Sequence, residues 1–161
     1  MIDQLFKLGG LSMALLGAGL SAFLCCFGSA RATGMAGESA TGIIIDDPAK
    51  FSKCLIIQII PGTQGLYGVV IAFYALLKMG FLAGTAASMS MSEGLRYLTA
   101  CLPMALGGFL SAIYQGRVAA SCMNIIAKKP DDWAKGMIFC ITVEFYAILS
   151  LLISFLMLLN L

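Results

Sequence analysis

A chain of 161 residues in which 60% are hydrophobic and only 11% charged, where soluble domains carry about 25% charged residues, is not a soluble globule; its mean hydropathy is +0.96. The chain holds no histidine, which excludes His-based acid–base catalysis, Ser-His-Asp triads and histidine metal sites. The net charge of +2, with Lys and Arg scattered along the chain, excludes a nucleic-acid-binding surface.

Charge-free runs mark the elements. A hydrocarbon core about 30 Å thick takes about 20 apolar residues of helix, and lipid leaves the backbone no water to bond. Leu8 to Ala30 is free of charge for 23 residues and predicts a first helix over 6–33. Ala30-Arg31-Ala32 imitates a signal-cleavage site. The apolar run exceeds the roughly 7–15 residues of a signal peptide, so the helix is expected to be retained. Residues 34–51 hold Pro48, paired acids and Lys50, and read as a connection. Cys54 to Leu77 predicts a second helix over 52–79. The next stretch, 80–94, is rich in Gly, Ser and Met with one acid, Glu93. Tyr97 to Gly116 predicts a third helix over 95–124, and 125–132 a polar connection. Gly136 to Leu161 carries a single charge, Glu144, and predicts a fourth helix over 133–159. The expected fold is an all-α membrane protein with four transmembrane helices. The six cysteines lie in or beside apolar stretches without a CxxC pair, and read as small buried hydrophobic residues.

The halves repeat. A shift of 86 places Arg31 on Arg117, Ala22 on Gly108, Cys26 on Ala112, Ala30 on Gly116 and Gly34 on Ala120. In the first span this ladder of small residues starts earlier, at Gly10, Ala14 and Ala18. Small residues four apart let helices approach closely. A shift of 82 places Pro48 on Pro130, Phe51 on Trp133 and Lys53 on Lys135. Two offsets differing by four imply a first connection four residues longer. The chain thus reads as two helical hairpins in tandem, 1–80 and 81–161, inserted the same way as a parallel repeat. Arg31, Lys50, Lys53, Arg117, Lys128, Lys129 and Lys135 lie around the first and third connections, against Lys7, Lys78 and Arg96 at the other side. The positive-inside rule then puts loops 34–51 and 125–132 in the cytoplasm and both termini outside.

At offset 82 Gly62 stands opposite Glu144, eleven residues beyond Trp133. A carboxylate near the bilayer midplane costs about 2.5–3.5 kcal/mol on insertion scales, and ion or proton traffic is its usual reason. The second span offers company at that depth in Ile60-Pro61-Gly62-Thr63-Gln64-Gly65-Leu66-Tyr67. Pro61 has no N–H and tends to open the helix. Gly62 leaves room opposite Glu144, while Thr63 and Tyr67, four apart, share a face. Gln115 is the only amide side chain in the third run. Carboxylate, amide, hydroxyl and freed carbonyl oxygens compose a cage for a hard cation, and a single carboxylate suits a monovalent one.

These residues resemble the proteolipid of V-type rotary ATPases, the membrane rotor component known as K or c. The matching pieces are PGTQGLYG at 61–68, YQGRVAAS at 114–121 and VEFYAIL at 143–149. Within that family the sequence is most similar to the sodium-pumping bacterial branch. The resemblance implies Na+ held by Glu144, Thr63, Gln64, Gln115 and the Ile60 carbonyl, with Tyr67 hydrogen-bonded to Glu144. It implies a non-catalytic subunit of an ATP-driven complex, in a ring of identical copies with helices one and three as the inner wall. The implied partners are a stator subunit supplying an Arg, central-stalk subunits at the cytoplasmic loops, and membrane lipid. Arg31 and Arg117 are expected towards the cytoplasmic ends, too far from Glu144 to serve as that Arg. Two rival readings remain. One is the same rotor carrying H+; the other is a small four-helix membrane antiporter, whose acid would sit in the first helix. A structural tetraspan protein lacks support because no large disulfide-bearing outer loop is present.

Overall fold

A computed structural model describes residues 2–85 and 89–161, with side chains from Gly9 onward. The side chain of Lys7 and residues 86–88 of the 80–94 connection therefore lie outside what is described. Every regular element is helical among the described residues. They are α1 (Ile2–Asp46), α2 (Phe51–Ile59), α3 (Thr63–Lys78), α4 (Met91–Lys128) and α5 (Trp133–Leu159), with single 3-10 turns at Pro48–Lys50, Ile60–Gly62 and Pro130–Asp132. Four segments are long and apolar enough to cross a membrane: Gly9–Asp46, Pro48–Lys78, Met91–Lys128 and Pro130–Leu159.

The expected connection at 34–51 is mostly helix. α1 runs 45 residues to Asp46, about 1.5 Å each, because Ala32 packs on Gly116 and Ala36 and Ala40 carry the small-residue face on into a cluster with Ala119, Met123 and Ile126 of α4. The loop shrinks to 47–50, where the Asp47 carboxylate accepts from the Ala49 N–H. Its counterpart is 129–132, equal in length. The first connection is therefore not four residues longer. α1 and α4 end 82 apart, at Asp46 and Lys128, and the outer helices resume 82 apart, at Phe51 and Trp133.

α1 packs on α4, α3 covers α1, and α5 covers α4, so the two longest helices form one layer and the two hairpin partners the other. Backbones touch between the inner helices. A Cβ on Gly17 would meet Leu98 Cα at 2.6 Å, on Gly28 the Phe109 carbonyl at 2.8 Å and on Gly116 Ala32 Cα at 2.5 Å. These pairs are 81 to 84 apart, short of the 86 read from the ladders. The ladder itself also differs. Beyond Ala18 the buried residues are Ser21, Cys25, Gly28, Ser29, Ala32, Ala36 and Ala40, while Cys26, Ala30 and Gly34 are exposed. At 3.6 residues per turn each step of four overshoots by about 40°, so a strict four-spaced ladder winds off the contact face. Five cysteines are buried, as expected, and Cys26 is exposed on that outward-turning ladder.

Both connections between inner and outer helices lie at one end. Lys50 Nζ donates to the Ala127 carbonyl at 3.2 Å, and Lys53 pairs with Asp131 at 3.4 Å. At the other end Lys78 Nζ donates to the Leu159 carbonyl at 3.3 Å. There α3 stops in a Schellman turn, with Phe81 N–H on Leu76 O, Gly80 N–H on Leu77 O, and Gly80 at φ 69°. α4 starts from a capping box of Ser90 and Glu93, which accounts for the acid noted at 93. Arg31 and Arg117 are not at the connection end. Ala32 packs on Gly116, the neighbour of Gln115, and α1 and α4 continue to Asp46 and Lys128. Both arginines are exposed, and Arg117 rests over the Tyr114 ring at 5.5 Å. Five basic residues (Lys50, Lys53, Lys128, Lys129 and Lys135) remain around the connections.

Candidate ion-binding site

Glu144 sits at the twelfth position of the 27-residue α5 and is 8% exposed. Three side chains from two other helices converge on it. Thr63 Oγ1 lies 2.6 Å from Oε1, Gln64 Nε2 donates to Oε2 at 3.0 Å, and Gln115 Nε2 donates to Oε2 at 2.9 Å. Gln115 Nε2 also donates to the Cys140 carbonyl at 2.8 Å, one turn before Glu144. Gln64 Nε2 donates to Gln115 Oε1 at 2.5 Å, which closes a loop among Gln64, Gln115 and Glu144.

Pro61 builds this arrangement. Without its N–H the helix cannot continue its i→i−4 ladder, and α2 gives way to the 3-10 turn Ile60–Gly62 before α3 restarts at Thr63. Thr63 and Gln64 therefore stand just past a tightened turn, where the Thr63 N–H donates to the Ile60 carbonyl while the backbone stays right-handed helical. Thr63 Oγ1 is also 3.0 Å from the Ile60 carbonyl, so one hydroxyl stands between two acceptors. It has one hydrogen to give. With Glu144 ionised the charged acceptor takes it, leaving the Ile60 carbonyl facing the hydroxyl oxygen without that hydrogen. With Glu144 protonated, the carboxyl can donate to Thr63 and Thr63 to Ile60.

All five predicted ligands are brought together. The phenol of Tyr67, one turn along α3, stands beside Glu144 and Thr63. Two details differ from the expectation. Gln115 aims its amide nitrogen, not its oxygen, at the carboxylate. A Cβ on Gly62 would point at Thr33 of α1, 3.6 Å away, so Gly62 does not make room for Glu144. The Cys140 carbonyl, and the Ser29 hydroxyl that accepts from the Gly65 N–H at 2.9 Å, were missed by sequence reasoning. A backbone acceptor one turn before the acid is implied by helix spacing; Ser29 is lost among the small residues of α1.

The site fits a monovalent cation on its own chemistry. Gln64 Oε1 is buried and has no hydrogen-bond partner. An unsatisfied buried acceptor costs about 1–3 kcal/mol, and a small cation is what this oxygen, the Thr63 hydroxyl, the Ile60 carbonyl and one carboxylate can share. One carboxylate neutralises one positive charge. A divalent ion would leave buried charge unpaired, and the described residues hold no cluster of three His, Cys, Asp or Glu side chains that could hold a metal.

The sequence pattern of the ATP synthase C subunit matches twice, over residues 16–75 and again over 98–157. The chain belongs to the ATP synthase C-subunit family. Its two matched stretches begin and end 82 residues apart, the spacing the helices themselves keep. The chain is 45% identical over 161 residues to the V-type sodium ATPase subunit K of Enterococcus hirae, covering 99% of each. It is 34% identical over 148 residues to the A-type ATP synthase subunit K of Methanocaldococcus jannaschii, which takes in 92% of this chain and 62% of that one. With four membrane-crossing helices in two family repeats, the chain is a multi-pass membrane protein.

Proposed function

We propose that the chain is the rotor subunit of a V-type ATPase and carries one Na+ per copy at Glu144. The observation that carries this reading is the orphaned Gln64 oxygen beside a mid-span carboxylate, in a chain similar at full length to a sodium ATPase subunit K. The ligands are Glu144, Thr63 Oγ1, Gln64 Oε1 and the Ile60 carbonyl. Gln115 fixes the carboxylate, and Tyr67 closes the site beside it. The two hairpins, 1–80 and 81–161, contribute together: the first supplies α3, the second supplies α4 and α5. The chain catalyses nothing itself and passes ions while partner subunits hydrolyse ATP.

The physics of the cycle follows from the carboxylate. Bound Na+ neutralises Glu144, so the outer layer can pass through lipid without the cost of a bare charge. Once the ion leaves, the charge needs a partner. Arg31 and Arg117 lie near this depth, but the side chains that reach Glu144 are Thr63, Gln64 and Gln115. A stator subunit must supply the Arg. Each ion moved against 100 mV costs about 2.3 kcal/mol, and one carboxylate per four helices lowers the number moved per turn. Identical copies close a ring with α1 and α4 inside, where exposed Gly19, Cys26 and Ala30 of α1 offer a close approach to the next copy. The lysine-bearing connections face the cytoplasm and the central stalk, and both termini face outward. The exposed apolar side chains of α3 and α5, such as Val70, Phe73, Phe139 and Ile141, meet lipid or the neighbouring copy.

A second reading keeps the rotor and changes the ion to H+. The chain Glu144–Thr63–Ile60 carbonyl also completes when Glu144 is protonated. Carbodiimide labelling of Glu144, mapped by mass spectrometry with and without sodium across a pH series, separates the two, since the reagent attacks the protonated acid. Sodium protection that strengthens with rising pH is expected. Labelling that falls with pH and ignores sodium would assign the site to H+. The antiporter reading puts its acid in the first helix, whereas here it stands in the last and takes ligands from both hairpins.

A further inference from the structure

α3 begins beside the ion site without a cap of its own. Gly62, the residue before it, is itself right-handed helical (φ −83°, ψ −18°) and has no side chain to cap with, and the Thr63 N–H donates to the Ile60 carbonyl within the preceding turn. Where Pro61 interrupts the i→i−4 ladder, a backbone N–H just beyond it can be steadied by a side-chain oxygen, as the N–H groups at a helix start are. Here the Gly65 N–H, one turn past Pro61, donates to Ser29 Oγ of α1 at 2.9 Å. The cap oxygen comes from another helix. Ser29 is 6% exposed, and a Cβ on Gly65 would lie 3.4 Å from Ser29 Cβ and Oγ, so the two backbones are close at this point. Gly65 directly follows Thr63 and Gln64, both of which touch Glu144.

The second hairpin supplies an internal comparison. At spacing 82 the partner of Ser29 is Ser111, also 6% exposed. α5 has no break, running from Trp133 to Leu159, so there is no helix start to cap. Ser111 turns back on its own helix and donates to the Gly108 carbonyl at 3.2 Å. The serine reaches across only where Pro61 has opened the outer helix.

We infer that Ser29 is a positioning residue for the ion site: by capping the Gly65 N–H from α1, it fixes the first turn of α3 and thereby the oxygens of Thr63 and Gln64 around the cation. This rests on the sodium reading of Glu144. Ser21 provides the control, since its hydroxyl also ties α1 to α3, donating to the Gly68 carbonyl at 3.1 Å, but one turn further from the ligands.

The test is sodium protection of Glu144 against carbodiimide in membranes holding the full complex, comparing wild type, Ser29→Ala and Ser21→Ala, with lithium titrated alongside. Ser29→Ala is expected to raise the half-protecting sodium concentration about tenfold, which is about 1.4 kcal/mol. It is also expected to narrow the sodium-to-lithium ratio as the cage loosens. Ser21→Ala is expected to stay within about twofold of wild type, in line with a bond that touches no ligand. Should Ser29→Ala not assemble, Ser29→Cys keeps the size with a weak acceptor and is expected to fall between. Wild-type affinity in whichever variant assembles would overturn the inference and leave the sodium site standing. So would an equal loss in Ser21→Ala, or an unchanged sodium-to-lithium ratio, since either marks general helix packing. A wild type unprotected by sodium would sink the sodium reading itself, and the role of Ser29 with it.

Discussion

Replacing Thr63 by valine keeps the shape of the side chain and removes one oxygen. That oxygen is 2.6 Å from Glu144 Oε1 and 3.0 Å from the Ile60 carbonyl. A hydrogen bond to a charged group is worth about 1.5–3 kcal/mol net. At 1.4 kcal/mol per factor of ten, that range spans about 10- to 100-fold in affinity. The lower end is expected here. The hydroxyl serves the ion-free carboxylate as well as the ion, so its loss weakens both states and part of the effect cancels. Thr63→Val should therefore raise the sodium concentration that half-protects Glu144 from carbodiimide by about tenfold, with the rotor complex still assembled. Half-protection within twofold of wild type would refute the placement of this oxygen in the cation's coordination, and with it the reading of Thr63 as a ligand.

On the proposed reading sodium and protons compete for one carboxylate, so the half-protecting sodium concentration should fall as pH rises and then level off. A sodium requirement flat across the whole pH range would contradict a shared site. Gly19 lies on the face of α1 turned away from α4, with nothing within 4 Å of an added Cβ. Gly19→Leu should thus leave the protomer folded but prevent copies from closing up, read as loss of the large species when the detergent-extracted complex is weighed; an intact large complex would remove Gly19 from the contact between copies.

Much of this was open to reading because the bilayer restricts the choices. Four apolar runs meant four helices, and Leu159 ends α5 where the sequence put it. A single acid in the last run, with Thr63, Gln64 and Gln115 at one depth, named the side chains that the structure brings together. What stayed hidden was register and reach. Residues 34–46 look like a loop by composition, yet Ala36 and Ala40 are buried against α4, a tertiary contact no local pattern announces. The shift of 86 rested on matching Arg31 to Arg117 and on residues four apart, and a helix of 3.6 residues per turn does not hold such a ladder on one face. The orphaned Gln64 oxygen depends on how the amide is turned once its neighbours are in place, so the residue could be named as a ligand but not shown to lack a partner.

The register of 82 also explains why the proposed ion site occurs once per chain and not twice. It sets Glu144 and Gln115, which bond each other, on Gly62 and Thr33, where a Cβ on Gly62 would meet Thr33 at 3.6 Å. The first hairpin thus keeps the same juxtaposition of outer and inner helix, with the acid and the amide replaced. Restoring the acid alone would not restore a site. Glu144 draws Thr63 and Gln64 from the outer helix of the other hairpin, and at spacing 82 those two positions are Phe145 and Tyr146, both exposed apolar or aromatic side chains. The α5 that would flank a carboxylate at position 62 thus offers a phenyl ring where the working site has a hydroxyl. Gly62→Glu should accordingly add a second carbodiimide-reactive carboxyl per chain, one that sodium does not protect, while protection of Glu144 persists in the same molecules. Sodium protection of the new carboxyl would show that a carboxylate and its depth suffice, and that the oxygens of Thr63 and Gln64 are not what selects the ion.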